Sequence, residues 1–151
     1  MKKTIFLCLL CFGAITTTAQ TSMYVDLGLP SGTIWSKVNE KGLFSYNEAV
    51  SKFGNQLPTS AQIGELMEVC ILKWTGNGYN ITGPNGNSIF LPITGYCEAG
   101  EYPTDVKSGG YYWSSTPGDT DEQALLLGFG EISFITYFYY QSLQVAVRLV
   151  K

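Results

Sequence analysis

The chain has 151 residues, carries 12 Asp and Glu against 9 Lys and Arg, and contains no histidine. That balance argues against nucleic acid and anionic lipid as partners, since both require clustered Lys and Arg. The missing histidine removes the commonest general base and the commonest metal ligand together, and with them serine triads, Cys-His pairs and most zinc or copper sites.

Met1-Lys2-Lys3 opens the chain, an apolar run follows from Ile5 to Ile15, and the stretch from Thr16 to Gln20 is polar. A basic start, a short apolar centre and a small-residue exit form the three-part pattern of a secretory signal. The apolar run is about half the roughly 20 residues that span a bilayer, so no membrane insertion of the mature chain is expected. Thr17 and Ala19 are small where a signal peptidase needs it, which places the cut after Ala19 and leaves residues 20–151 as a single domain. Lipidation of Cys8 or Cys11 is the rival, but Leu7 and Leu10 stand where a small residue would be needed. The expected destination is outside the cytoplasm: periplasm, cell surface or medium. Loss of Lys2 and Lys3 makes the mature chain more acidic still. Cys70 and Cys97 then remain. They could form one bridge, worth roughly 3–4 kcal/mol in the chain-entropy model, or stay free thiols with Cys70 in a helix stripe. Both readings stay open.

Along the chain, Tyr24 to Val38 alternates apolar and polar residues around Gly28, Pro30 and Gly32, predicting two short strands and a turn. Ser45 and Glu48 form a capping box, with Phe44 placed to staple onto Ala49. Tyr46, Ala49, Val50 and Phe53 follow at helical spacing, and Gly54 stops the helix. Thr59 and Gln62 make a second box ahead of a stripe of Ile63, Leu66, Met67 and Cys70, with Glu65 and Glu68 off the stripe. From Trp74 the pattern changes to strands. Ile81-Thr82 and Ser88 to Leu91 flank Gly83-Pro84-Asn85-Gly86-Asn87, a hairpin signal. Gly110 to Thr116 is an aromatic strand. Ala124 to Phe129 and Ser133 to Tyr140 join at Gly130-Glu131. Val145 to Val150 closes the chain as a last strand with Val145, Val147 and Leu149 on one face. Two early helices followed by short antiparallel strands make an α+β layout.

Several motifs are familiar in this order. The run from Tyr24 through Asp26-Leu27-Gly28-Leu29-Pro30-Ser31-Gly32-Thr33 to Trp35 resembles the opening of the Fibrobacter succinogenes major paralogous domain, common in exported proteins of Bacteroidota. Leu57-Pro58-Thr59, Asn85 to Pro92 with Gly95-Tyr96, Tyr112-Trp113-Ser114-Ser115-Thr116 and Val147-Arg148-Leu149-Val150 extend the resemblance over essentially the whole mature chain. Gln141 to Ala146 departs from it, lacking an expected Gly and Arg. The resemblance implies a C-type-lectin-like fold, in the branch that includes formylglycine-generating enzymes, together with export and a binding or adhesion role. Those oxidases use a closely spaced cysteine pair in the C-terminal half, whereas Cys70 and Cys97 are far apart, so that activity is not implied. C-type lectins proper hold calcium with Glu-Pro-Asn or Gln-Pro-Asp and Trp-Asn-Asp. The nearest fragments here, Gly83-Pro84-Asn85 and Trp113-Ser114-Ser115, lack those carboxylates. Asp119, Asp121 and Glu122 bunch after Pro117-Gly118, but three acids in a turn are more often simply solvated. No metal and no cofactor are expected.

The aromatics remain. On a strand from Ser133 to Tyr140, Phe134, Phe138 and Tyr140 share one face, expected to be core, while Tyr137 and Tyr139 share the other. Tyrosines offer rigid apolar area with a polar tip, which suits sugars and proteins alike. By the resemblance, the ligand surface falls between Trp113 and Gln144. Its expected residues are Trp113, Asp119, Asp121, Tyr137, Tyr139, Gln141 and Gln144. The expected function is a non-catalytic extracytoplasmic module that binds a glycan or a protein. A structural or accessory subunit of a surface assembly is the first alternative. A hydrolase using carboxylates alone is the second, though no spacing singles out a pair.

Overall fold

Residues 23–151 are described by the structure, a computed structural model. The expected signal segment, its cut after Ala19, and Cys8 and Cys11 lie outside the described residues. Both helices start where their caps dictate. At α1 (Tyr46–Phe53) the Ser45 hydroxyl accepts from the Glu48 N–H, and the Glu48 carboxylate accepts from the Ser45 N–H at 2.9 Å. At α2 (Ser60–Val69) Thr59 and Gln62 do the same, with the Thr59 N–H donating to the Gln62 amide oxygen at 2.8 Å. Each box satisfies two backbone N–H groups that a helix start leaves unpaired. Tyr46, Ala49 and Phe53 of α1 and Ile63 and Leu66 of α2 are buried. Both stripes are narrower than expected. Val50 and Met67 are exposed, and Cys70 has left the helix, capping α2 in extended backbone. Phe44 meets Phe53 edge to face, with ring centroids 5.2 Å apart.

The strands form three antiparallel sheets, so the fold is α+β. β1 (Tyr24–Asp26) pairs with β2 (Ile34–Ser36). β3 (Ile71–Trp74), β4 (Gly78–Thr82) and β5 (Ser88–Pro92) make the second sheet. β6 (Gly110–Pro117), β7 (Gln123–Gly130) and β8 (Ser133–Tyr140) make the third. β3 has no distinct sequence signal: only Cys70 separates it from α2, and it exists because Ile71–Trp74 pairs with Tyr79–Thr82. The expected hairpin at Gly83–Asn87 joins β4 to β5 and folds back onto β1. The side-chain amides of Asn85 and Asn87 donate to the Asp26 carbonyl at 3.0 and 2.8 Å. Between β7 and β8 the turn is one residue later than expected, at Glu131-Ile132, because Gly130 and Ser133 still pair.

Two cores lie on opposite faces of the third sheet. Tyr112, Leu127 and Phe129 enter one, with Leu27, Trp35, Leu66 and Ile81. Trp113, Ala124 and Leu126 enter the other, with Tyr46, Ala49, Phe53 and Leu57. The C-terminal tail runs between them and divides its side chains the same way. Val145, Val147 and Leu149 join the second core, as the alternation predicts, and Ala146 and Val150 join the first. The tail is not, however, a strand in a ladder. Its backbone bonds in turn to Phe44, Tyr111, Trp113, Glu40, Ser36, Ile34 and Gln56. Arg148 is buried within it, donating from Nε to Asn39 Oδ1 at 2.7 Å and from its two terminal nitrogens to the Ser36 and Phe90 carbonyls at 2.9 and 2.8 Å. Neutral oxygens replace water around this guanidinium, and burial pulls its pKa down from the ordinary range.

Candidate functional site: a tyrosine face beside an acidic loop

One face of the third sheet is covered only in part by the second core. Tyr111 of β6 and Ile135, Tyr137 and Tyr139 of β8 belong to this face, by the period-2 alternation of the register. Gly128 of β7 leaves the space that the Tyr137 ring fills: a Cβ there would stand 2.6 Å from Tyr137 Cε1. The loop from Cys97 to Gly109 flanks the rings. It is pinned at its base by paired backbone bonds between Tyr96 and Thr104 and between Cys97 and Gln144. Gly95 makes the first pairing feasible, since its φ is +62° and a Cβ would meet the Thr104 carbonyl at 2.4 Å.

Within the loop, Asp105 has a left-handed backbone (φ 54°) and its carboxylate accepts from the Tyr111 and Ser108 hydroxyls. Tyr96 stands edge-on to Tyr111 at 5.2 Å, Tyr137 to Tyr139 at 6.4 Å, and Tyr139 to Tyr140 at 5.8 Å. Burial raises the Tyr111 pKa, and its bond to Asp105 and that carboxylate's charge raise it further. Tyr137 is raised by burial first, then by Tyr139, Tyr96 and Asp105. These hydroxyls stay neutral, so the charge on this face is carried by carboxylates.

Of the β8 tyrosines, Tyr137 is half-buried, Tyr139 is 37% exposed and Tyr140, which alternation puts on the other face of the strand, is 56% exposed. Two grooves lie along β8. One of about 430 Å³ runs over Gly128 between Asp105, Tyr111, Ile135 and Tyr137. The other, about 470 Å³, is walled by Tyr139, Tyr140 and Leu143 on one side and Glu98 and Glu101 on the other.

The expected site residues do not all meet there. Trp113 is corrected: it is fully buried, its indole N–H donates to the Phe44 carbonyl at 2.8 Å, and Tyr46 packs edge-on at 5.5 Å. Its strand position faces the second core. Asp119 and Asp121 sit on the exposed turn between β6 and β7 and line neither groove. Among the described residues, no three His, Cys, Asp or Glu side chains are grouped to hold a metal. Gln141 is committed to the sheet end, its amide donating to the Gln123 carbonyl at 3.0 Å and its backbone N–H to Glu122 at 2.8 Å. Gln144 bonds through its backbone to Cys97, so it holds the loop base. Tyr137 and Tyr139 are together on one face. Phe138, expected in the core, is 42% exposed, since the first core reaches β8 only at Phe134. Tyr96, Glu98, Glu101 and Asp105 were not singled out by sequence, and Tyr140, expected in the core with Phe138, is 56% exposed for the same reason. The loop that carries the first four comes some 30 residues or more before the strand it faces, so no local pattern connects them.

Cys70 and Cys97 are free thiols in this structure. Burial, then the Glu65 carboxylate, raises the Cys70 pKa, which disfavours the nucleophilic thiolate. Cys97 donates through Sγ to the Glu101 carbonyl at 2.9 Å, within the loop. In comparisons with known proteins, the chain matches no family model, no curated protein and no solved structure.

Proposed function

We propose that this chain is an exported, non-catalytic binding module of C-type-lectin-like fold, related to the Fibrobacter succinogenes major paralogous domain, whose recognition surface is the tyrosine face and its flanking loop. The observation that carries the reading is the pair Tyr137 and Tyr139 on that face, joined at the strand end by the exposed Tyr140 of the opposite face, beside a pinned loop and a cleft that Tyr139 and Tyr140 line. Rings with neutral polar tips give rigid contact area at small entropic cost. A β1–β2 hairpin, two helices and two further antiparallel sheets, in that order, support the α+β layout that the resemblance implies. The carboxylate-only hydrolase is less well supported. Glu98 and Glu101 share the cleft, but both are exposed to solvent.

Glycan and protein arrays probed with the purified protein test the surface. A ligand should be found whose binding is lost on Tyr139→Ala plus Tyr140→Ala with an unchanged melting temperature. Binding only to itself or to assembly components would favour the structural-subunit alternative. Export is tested by mass spectrometry of the protein recovered from its host. The expected first residue is Gln20, and retention of residues 1–19 or a lipid on Cys8 or Cys11 would refute it.

A further inference from the structure

We infer that the cleft between Glu98, Glu101, Tyr139 and Tyr140 takes a lysine or arginine side chain from an extended polypeptide that pairs with the outer edge of β8. The inference rests on the proposed binding role and names the ligand class of the same surface. Three observations carry it. First, β8 is the last strand of its sheet, and among the described residues no strand pairs with its outer edge, where only the terminal Tyr140 carbonyl is taken, by the Leu143 N–H at 3.1 Å. Its eight pairs with β7 run without a bulge, and Ser133–Tyr140 contains neither a charge nor a proline. Those are the features by which edges normally resist an added strand, so this edge is open to one.

Second, the cleft at the end of that edge has the walls a cation requires. Tyrosine rings attract a cation over their faces, and carboxylates supply the countercharge. No basic residue lines the cleft. Third, the surrounding sequence is one-sided in charge. Between Cys97 and Tyr140 there are seven acids and a single basic residue, Lys107. Glu98, Glu101 and Asp105 lie in the loop, Asp119, Asp121 and Glu122 in the turn next to the start of β7, and Glu131 at the far hairpin. A basic partner is attracted to this face before contact, and an acidic one is repelled. A neutral glycan would use the rings but leave Glu98 and Glu101 without a role.

Strand addition supplies backbone hydrogen bonds that are indifferent to sequence, and the cleft selects one side chain. The probe is a synthetic peptide of about ten residues alternating Lys and Thr. Its controls are the same peptide with acetylated lysines and one with alternate backbone nitrogens methylated. Calorimetry at low salt should detect the parent peptide, with both modified peptides at least about tenfold weaker. Glu98→Gln plus Glu101→Gln, and separately Tyr139→Ala, should each weaken binding by about tenfold. Glu68→Gln plus Glu131→Gln removes the same charge away from the cleft and should change affinity less than about twofold. Equal weakening by the two double variants would mean diffuse charge attraction and would overturn the inference. Equal binding of the acetylated or methylated peptide, or no binding of the parent, would overturn it too. If a neutral glycan instead bound in a Tyr139-dependent way, the proposed surface would stand and only the ligand class would fall. If neither glycan nor peptide bound, the surface itself would fall.

Discussion

The C-terminal tail from Leu143 to Val150 and strand β8 are two short segments with opposite relations between hydrogen bonding and burial. β8 makes eight regular pairs with β7, yet Phe138, Tyr139 and Tyr140 are substantially exposed. The tail joins no continuous ladder, yet Val145 to Val150 are all buried. A ladder satisfies the backbone and nothing more. Burial depends on what covers the side chains, and the tail is covered on both sides because it runs between two cores. Regularity leaves β8 free to present side chains, while irregularity lets the tail contact several elements at once.

The comparison breaks most visibly if the tail's neighbours are removed. Trp113→Ala should destabilise by about 3–5 kcal/mol in a urea titration, through lost burial, a cavity against Val145 and Val147, and loss of the indole's bond to the Phe44 carbonyl, which keeps the Val145 N–H as its other donor. A loss below about 1 kcal/mol would show that the second core does not anchor the tail. Leu66→Ala, in the first core, should cost about 2–5 kcal/mol. Glu68→Ala on the exposed side of α2 should cost well under ~1 kcal/mol, and equal midpoint shifts would mean that the helix face is wrong. Along β8 the same contrast should appear within three residues. Tyr137→Ala, which empties the space over Gly128, should cost about 2 kcal/mol, and Tyr139→Ala less than about 1 kcal/mol. Equal losses would place both rings in the core and remove the proposed surface.

The smallest effect concerns pH. Tyr112 is buried beside Arg148 and Asn39, its hydroxyl donating to the Pro92 carbonyl at 2.7 Å, and burial pushes its pKa up to about 12. A raised folded-state pKa means that the folded protein holds the proton longer than the unfolded chain. The contribution is therefore complete below about pH 10 and fades as pH rises toward 12. The melting temperature should decline over that window, and Tyr112→Phe should make the decline shallower although it lowers stability at neutral pH. An unchanged slope would assign the alkaline loss to other groups.

Where an interaction spans a few residues, the sequence contained it. Ser45 with Glu48 and Thr59 with Gln62 cap helices as the spacing requires, because the donor and acceptor lie within one turn. The Gly83–Asn87 hairpin, the limits of β8 and the one-sided Val145, Val147 and Leu149 were legible for the same reason: turn chemistry and period-2 alternation are local. Alternation separates Phe138 from Tyr139, but it does not say which face a core will cover. The expected burial of Phe138 failed there, as did the expected exposure of Trp113. β3 was invisible because its pairing partner, not its own composition, makes it a strand. The candidate cleft was invisible because Glu98 and Tyr139 meet only once Tyr96 pairs with Thr104 and Cys97 with Gln144. The sequence by itself determined the helices, the hairpins, the alternating faces and the lack of histidine chemistry, all properties of neighbours along the chain. The tertiary structure alone decided which faces were covered, how Arg148 is solvated by Asn39, Ser36 and Phe90, and that tyrosines and acids share one cleft. Those depend on contacts across tens of residues, which form only when two cores close around the tail.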